Sequence, residues 1–119
     1  MEIALKRVYE AASDSDGYRV LVDRLWPRGI SKAKAKLDLW LKDVGPSTEL
    51  RKWFGHDPAK FDEFAERYRK ELEANQTVVD QLADICLGNP RVTFLYGAKD
   101  PEHNQAVVLR DYMRGHLRR

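Results

Sequence analysis

Two rhythms of apolar residues alternate along the chain. Residues 2–9 alternate modestly, with Ile3 and Leu5 on one side and Ala4, Lys6 and Val8 on the other, which predicts a strand. Residues 18–25 predict a second strand. Its centre, Val20-Leu21-Val22, is a continuous apolar run suited to burial on both faces. Leu37, Leu39 and Leu41 alternate with Asp38, Trp40 and Lys42, a third strand. Residues 92–96 form another buried run. The helical rhythm is clearest at Phe61, Phe64, Ala65, Tyr68 and Leu72, and it recurs at Val78, Val79, Leu82, Ala83 and Cys86.

Punctuation residues set the boundaries. Residues 13–17 (Ser-Asp-Ser-Asp-Gly) are a turn, and Pro27 closes the second strand. Ser31 caps a short helix running through Lys36. Ser47 caps a helix ending near Phe54, with Gly55 just beyond it. Asp57-Pro58 opens the next helix as cap and first residue. Thr77 caps the following one, which Gly88 ends. Asp100-Pro101 repeats the Asp-Pro start, and the last helix runs to about Leu117. Strands separated by helices need crossover connections. The expected fold is therefore a single α/β domain over residues 1–119, with an open, mostly parallel sheet of about four strands flanked by helices.

Composition adds mainly exclusions. The chain has 119 residues, 43% hydrophobic and 34% charged, with a net charge of +2. That excludes disorder as the main state. No apolar run approaches the roughly 18 residues of a membrane span, and the first residues lack the apolar core of a secretion signal. The lone Cys86 has no internal disulfide partner and sits on a helix stripe as a small hydrophobe. His56, His103 and His116 have no metal-ligand spacing, and no flavin, nicotinamide, P-loop or Gly-x-Ser-x-Gly pattern occurs. A reducing cytosol, no metal and no cofactor are expected. Basic residues are interleaved with acids except at the C-terminus, where Arg110, Arg114, Arg118 and Arg119 accumulate. Cations there also suit a helix dipole.

In open α/β sheets, ligands bind outside the carboxyl ends of the strands. That rule points to residues 23–29 (Asp-Arg-Leu-Trp-Pro-Arg-Gly) and 96–104 (Tyr-Gly-Ala-Lys-Asp-Pro-Glu-His-Asn). Arg24 and Arg28 offer planar donor forks for phosphate or carboxylate, and Trp26 offers a flat face for a ring. Asp23 equally suits an ion pair that closes the strand end. In the second segment Lys99 adds a charge, Tyr96 ends the strand, and His103 and Asn104 stand in the expected first turn of a helix, whose N–H groups favour anions. A self-satisfied cap is the plainer reading there. Residues 51–58 form a third polar corner. Trp53 and His56 can face a ligand or serve packing and the surface.

Residues 23–29, 50–58 and 96–104, in this order and spacing, resemble the domain of unknown function 488 family in its short YeaO-like branch, over nearly the whole chain. The resemblance implies a compact bacterial or archaeal α/β protein of one domain and no established activity. Longer members carry cysteines around the last strand and the following helix start. This chain has Tyr96, Gly97 and Asn104 there, so the resemblance does not extend thiol chemistry to it.

Three functional readings stand. The first is a small anionic ligand, a nucleotide or phosphorylated metabolite, held at the sheet edge. Arg24, Arg28 and Lys99 would meet the anion, Trp26 or Trp53 would stack on a ring, and His56, Tyr96 and Asn104 would complete the site. Asp23 and His103 would serve as acid and base if the ligand is hydrolysed or transferred. The second is a nucleic-acid or protein-binding module using the Arg-rich end. The third is a homodimeric scaffold without catalysis.

Overall fold

The computed structural model of the chain describes residues 2–118. Four strands, β1 (Glu2–Arg7), β2 (Tyr18–Leu21), β3 (Leu39–Trp40) and β4 (Arg91–Tyr96), form one sheet in the order β1-β4-β2-β3. Every pairing is parallel. Phe94 of β4 lies between Leu5 of β1 and Val20 of β2. The helices are α1 (Lys32–Ala35), α2 (Thr48–Phe54), α3 (Phe61–Glu73), α4 (Gln76–Gly88) and α5 (Gln105–Leu117). This is the expected open, parallel α/β arrangement. Among the described residues no helix is long and apolar enough to cross a membrane.

Strand alternation divides the core. Val20, Val22, Val92, Phe94 and Tyr96 pack with Leu50 and Phe54 of α2, Phe64, Tyr68 and Leu72 of α3, Val79, Leu82 and Cys86 of α4, and Leu109 and Met113 of α5. Leu21 and Leu95 point the other way. They meet only Val8, Ile30, Ala35 and the partly buried Trp26 and Leu37. One sheet face is thus covered by four helices. The other is covered by α1 and the long connection that follows β2.

Several boundaries differ from the pattern-based expectation. β1 stops at Arg7, although Val8 N–H still reaches Tyr96 O at 2.8 Å. β2 stops at Leu21, not near Leu25. Val22 N–H reaches Leu95 O at 3.0 Å, and beyond it Asp23 turns its carboxylate to Gly97. β3 shortens to Leu39–Trp40 because the chain then tightens into a 3₁₀ turn over Lys42–Val44. Asp57 does cap, through Ala59 N, but its first turn is 3₁₀ and the α-helix proper begins at Phe61. α4 begins at Gln76, one residue before the expected Thr77 cap. The residue at its cap position, Asn75, points its amide at Asp43 O instead.

The largest shift concerns α5. Asp100 takes the N–H groups of Glu102 and His103 in a local turn, and the helix starts only at Gln105. Asn104, 1% exposed, is the cap, accepting from Ala106 N and Val107 N. Ser47 and Gly55 bound α2 as expected, and Ser31 caps α1.

At the other end of the sheet, Gly17 leads into β2 with φ +66°, and a Cβ placed there would stand 2.3 Å from Arg91 O. Backbone, not a movable side chain, blocks it. Gly115 in α5 has open space around the same position. We expect Gly17→Ala to lower the free energy of unfolding in urea by about 1–3 kcal/mol. Gly115→Ala should raise it by about 0.5–1 kcal/mol.

Candidate functional site

The chain leaves β2 and β4 side by side, and their carboxyl ends open into a hollow of about 600 Å³. Its walls come from the segment after β2 (Asp23, Arg24, Trp26, Arg28), from α2 and the turn after it (Arg51, Lys52, Phe54, His56), and from the exit of β4 (Gly97, Ala98) with Gln105 of α5. Parts of all three sequence segments therefore meet at one rim, the second only through Gly97 and Ala98.

Asp23 organises that rim. Its Oδ2 accepts from Gly97 N at 2.8 Å, and its Oδ1 accepts from the Gln105 side-chain amide. Its backbone oxygen accepts from Trp40 Nε1 at 2.8 Å. A Cβ on Gly97 would lie 3.1 Å from Asp23 Oδ2, so the strand exit and the carboxylate meet at close range. Burial raises the carboxyl pKa to about 6, against the lowering effects of the Gly97 N–H, the Arg51 charge and the Gln105 amide.

The cations of the hollow fall into two kinds. Arg24 is a bracket: Nε donates to Pro46 O at 2.9 Å and Nη2 to Gly45 O at 2.8 Å, with Asp43 3.9 Å from Nη1. Its donors are largely occupied in holding the loop after β2 against the loop before α2. Arg28, Arg51 and Lys52 have no side-chain hydrogen bond or ion pair among the described residues. Arg28 is held only through its backbone oxygen, which accepts from Tyr9 Oη at 2.8 Å. Trp26 donates from Nε1 to Ile30 O at 2.8 Å and sets its ring at 71° to Trp40, so its ring is fixed before any ligand arrives. His56 lines the hollow from the left-handed region, φ +58°.

Other residues singled out in the sequence lie elsewhere. Trp53 stands outside the lining, with the Arg67 guanidinium 4.3 Å and the Lys60 ammonium 5.2 Å from its ring centre. Tyr96 is buried in the core, and Lys99 is exposed and does not line the hollow. His103 also stands outside. Its Nδ1 is 2.8 Å from Asp100 Oδ2, and its ring meets Phe61 edge-on at 5.2 Å. Asp23 and His103 therefore do not form an acid–base pair in one cleft. Asn104 is buried as a cap. It accepts from Ala106 N and Val107 N, while in the expected first turn Asp100 already takes the N–H groups of Glu102 and His103.

Sequence reasoning assigned no ligand role to Arg51 and Lys52, although they belong to the third polar segment, and it missed Gln105, one residue beyond the second. The i, i+1 pair Arg51-Lys52 in the last turn of a short capped helix was the available signal. Gln105 carried none. At the C-terminus, Arg110 pairs with Asp111 at 3.1 Å, and Arg114 donates to Ile3 O at 3.3 Å, at the start of β1. That basic end lies at the opposite edge of the sheet from the hollow; Arg119 falls outside the described residues.

The fold is a parallel α/β sheet with a cation-lined hollow at its carboxyl edge, the edge at which open α/β sheets hold their ligands. Residues 2–119 match the family model described as the inactive DUF488-N3 subclade, and the chain belongs to that family. It is 49% identical over 114 residues to the uncharacterised protein YeaO of Escherichia coli, covering 96% of this chain and 98% of that one. It is 41% identical over 113 residues to an uncharacterised protein of Mycobacterium tuberculosis, covering 95% of this chain and 94% of that one. No solved structure matches it significantly.

The raised pKa of Asp23 has a measurable effect on stability. An acid whose folded pKa, about 6, exceeds its unfolded value of 3.8 binds its proton more readily in the folded state. Ionisation therefore opposes folding as pH rises through about 6, and protonation relieves that cost as pH falls toward 4. Relative to Asp23→Asn, the wild-type protein should gain about 1 kcal/mol of unfolding free energy between pH 7 and pH 5. Urea titrations at both pH values measure this; a constant difference would show that Asp23 titrates normally.

Proposed function

We propose that the protein binds a small anionic ligand, a nucleotide or another phosphorylated metabolite, in the hollow at the carboxyl edge of the sheet, and holds it without turning it over. One observation carries the reading. Arg28, Arg51 and Lys52 line one hollow with no side-chain hydrogen bond or ion pair among the described residues, while Asp23, which attracts Arg51, is the single carboxylate of the lining. An excess of cations beside a concave, partly apolar floor of Phe54 and Phe64 favours an anion that also carries an apolar or ring portion. The volume, about 600 Å³, lies within the usual range for small-molecule sites.

Binding without turnover is favoured over hydrolysis or group transfer. His103, the expected partner of Asp23, is paired with Asp100 outside the hollow. Both oxygens of Asp23 already accept hydrogen bonds from the protein. The family description, an inactive subclade, points the same way. A cytosolic setting fits the lone, buried thiol of Cys86.

A thermal-shift screen with nucleotides and sugar phosphates tests the reading. A ligand present at a hundred times its Kd stabilises the folded state by about 2.7 kcal/mol, a shift of several degrees. Arg51→Ala should weaken the best compound by about tenfold or more, the loss of one charge-assisted hydrogen bond. Arg118→Ala, at the other end of the molecule, should leave binding unchanged. No stabilisation by any anionic compound at millimolar concentration would overturn the proposal.

A further inference from the structure

Asp23 occupies an awkward place for an anion site. It lines the same hollow as Arg28, Arg51 and Lys52. Its carboxylate is fastened on both oxygens, to Gly97 N and to the Gln105 amide, and its backbone is fastened by Trp40 Nε1. These hydrogen bonds hold the carboxylate in place at the rim. An arriving anion therefore meets a negative charge held where it stands, and neutralising the carboxyl relieves the repulsion.

From this geometry we infer that the hollow takes up its anion together with a proton, which resides on Asp23. The inference rests on the anion-binding reading above and adds its regulation: affinity is set by pH through one carboxyl. Neutralising Asp23 removes the repulsion and also releases Arg51 from a competing charge, since the two attract one another in the empty site. Both effects favour the anion.

The surroundings of Asp23 narrow the titrating groups. Arg24 and Arg28 share the hollow with it from the segment after β2, and Arg51, Lys52 and His56 from α2 and its turn, with Arg51 acting on it directly. Arg7, the last residue of β1, reaches the bend after β4, donating to Ala98 O and Gly97 O. From α3 comes Tyr68, whose hydroxyl donates to Val44 O and is pushed up first by burial and then by the charges of Glu71 and Asp23. α5 contributes the uncharged Gln105. Arginine and lysine keep their charge from pH 5 to 8. The lining holds one carboxyl, Asp23, raised by burial to about 6, and one imidazole, His56, so the experiment must separate the two.

The test is calorimetric titration of the full chain with sodium sulfate, a probe whose own charge is constant in this range, at pH 7.5 and 5.5 and at ionic strength matched with chloride. Wild-type affinity should rise about tenfold at the lower pH, the order expected for one linked proton. Titration at pH 6.5 in two buffers of different ionisation enthalpy should show proton uptake approaching one per sulfate bound. Asp23→Asn should bind at pH 7.5 as tightly as wild type does at pH 5.5, with no proton uptake. His56→Gln should keep the pH dependence. If Asp23→Asn fails to fold, the wild-type proton count and the His56→Gln titration decide alone. Sulfate binding that is independent of pH, or a dependence lost in His56→Gln, overturns the proton coupling and leaves anion binding standing. Absence of sulfate binding to the wild type at both pH values, together with a blank thermal-shift screen, overturns both.

Discussion

The two oxygens of Asp23 hold the end of β2 against the exit of β4 and the first residue of α5. Among the described residues, no other hydrogen bond ties the segment after β2 to the start of the last helix. A buried carboxylate is costly unless its lone pairs are satisfied. Here an N–H of the strand exit and an amide of the helix start satisfy them, and the Arg51 charge offsets part of the rest. The offset is incomplete, which is why the carboxyl sits near pKa 6 and not near 4. The same residue that closes the rim thus carries a carboxyl raised by its burial.

Arginines show how position decides the use of one side-chain type. Arg19 is buried at the opposite edge of the sheet, donating to Asp16, to Ala35 O and to Lys36 O. Arg24 does the same work for the loops at the carboxyl edge through Gly45 O and Pro46 O. Arg7 holds the bend after β4 through Gly97 O and Ala98 O. In each case a planar fork closes unpaired carbonyls that an irregular segment would otherwise bury. Arg28 and Arg51 make no such side-chain bond among the described residues, and both line the hollow.

The start of α5 shows the opposite outcome for a segment that looked functional. Asp100, His103 and Asn104 satisfy one another and the adjacent backbone. The side chain of Asn104 replaces the anion that a helix start can bind, and the Asp100 carboxylate does so for the preceding turn. Negative charge is thus supplied from within the chain. The cationic contribution of α2 to the hollow then matters more than the helix start behind it.

Periodicity alone was enough for the four strands, the amphipathic α3 and the caps at Ser31, Ser47 and Asp57, because these depend on local spacing and on short-range hydrogen bonds. It also placed residues 23–29 and 96–104 at carboxyl strand ends, which follows from parallel α/β connectivity. Local pattern could not reveal that β4, last in the chain, inserts between β1 and β2, since strand order depends on long-range packing. It could not show where β2 ends, because Asp23 leaves the ladder for a partner 74 residues away. Nor could it sort Arg24 from Arg28 or His56 from His103. Residue type and spacing set what each side chain can donate or accept, but which partners lie within 3 Å is decided only when distant segments are folded against one another.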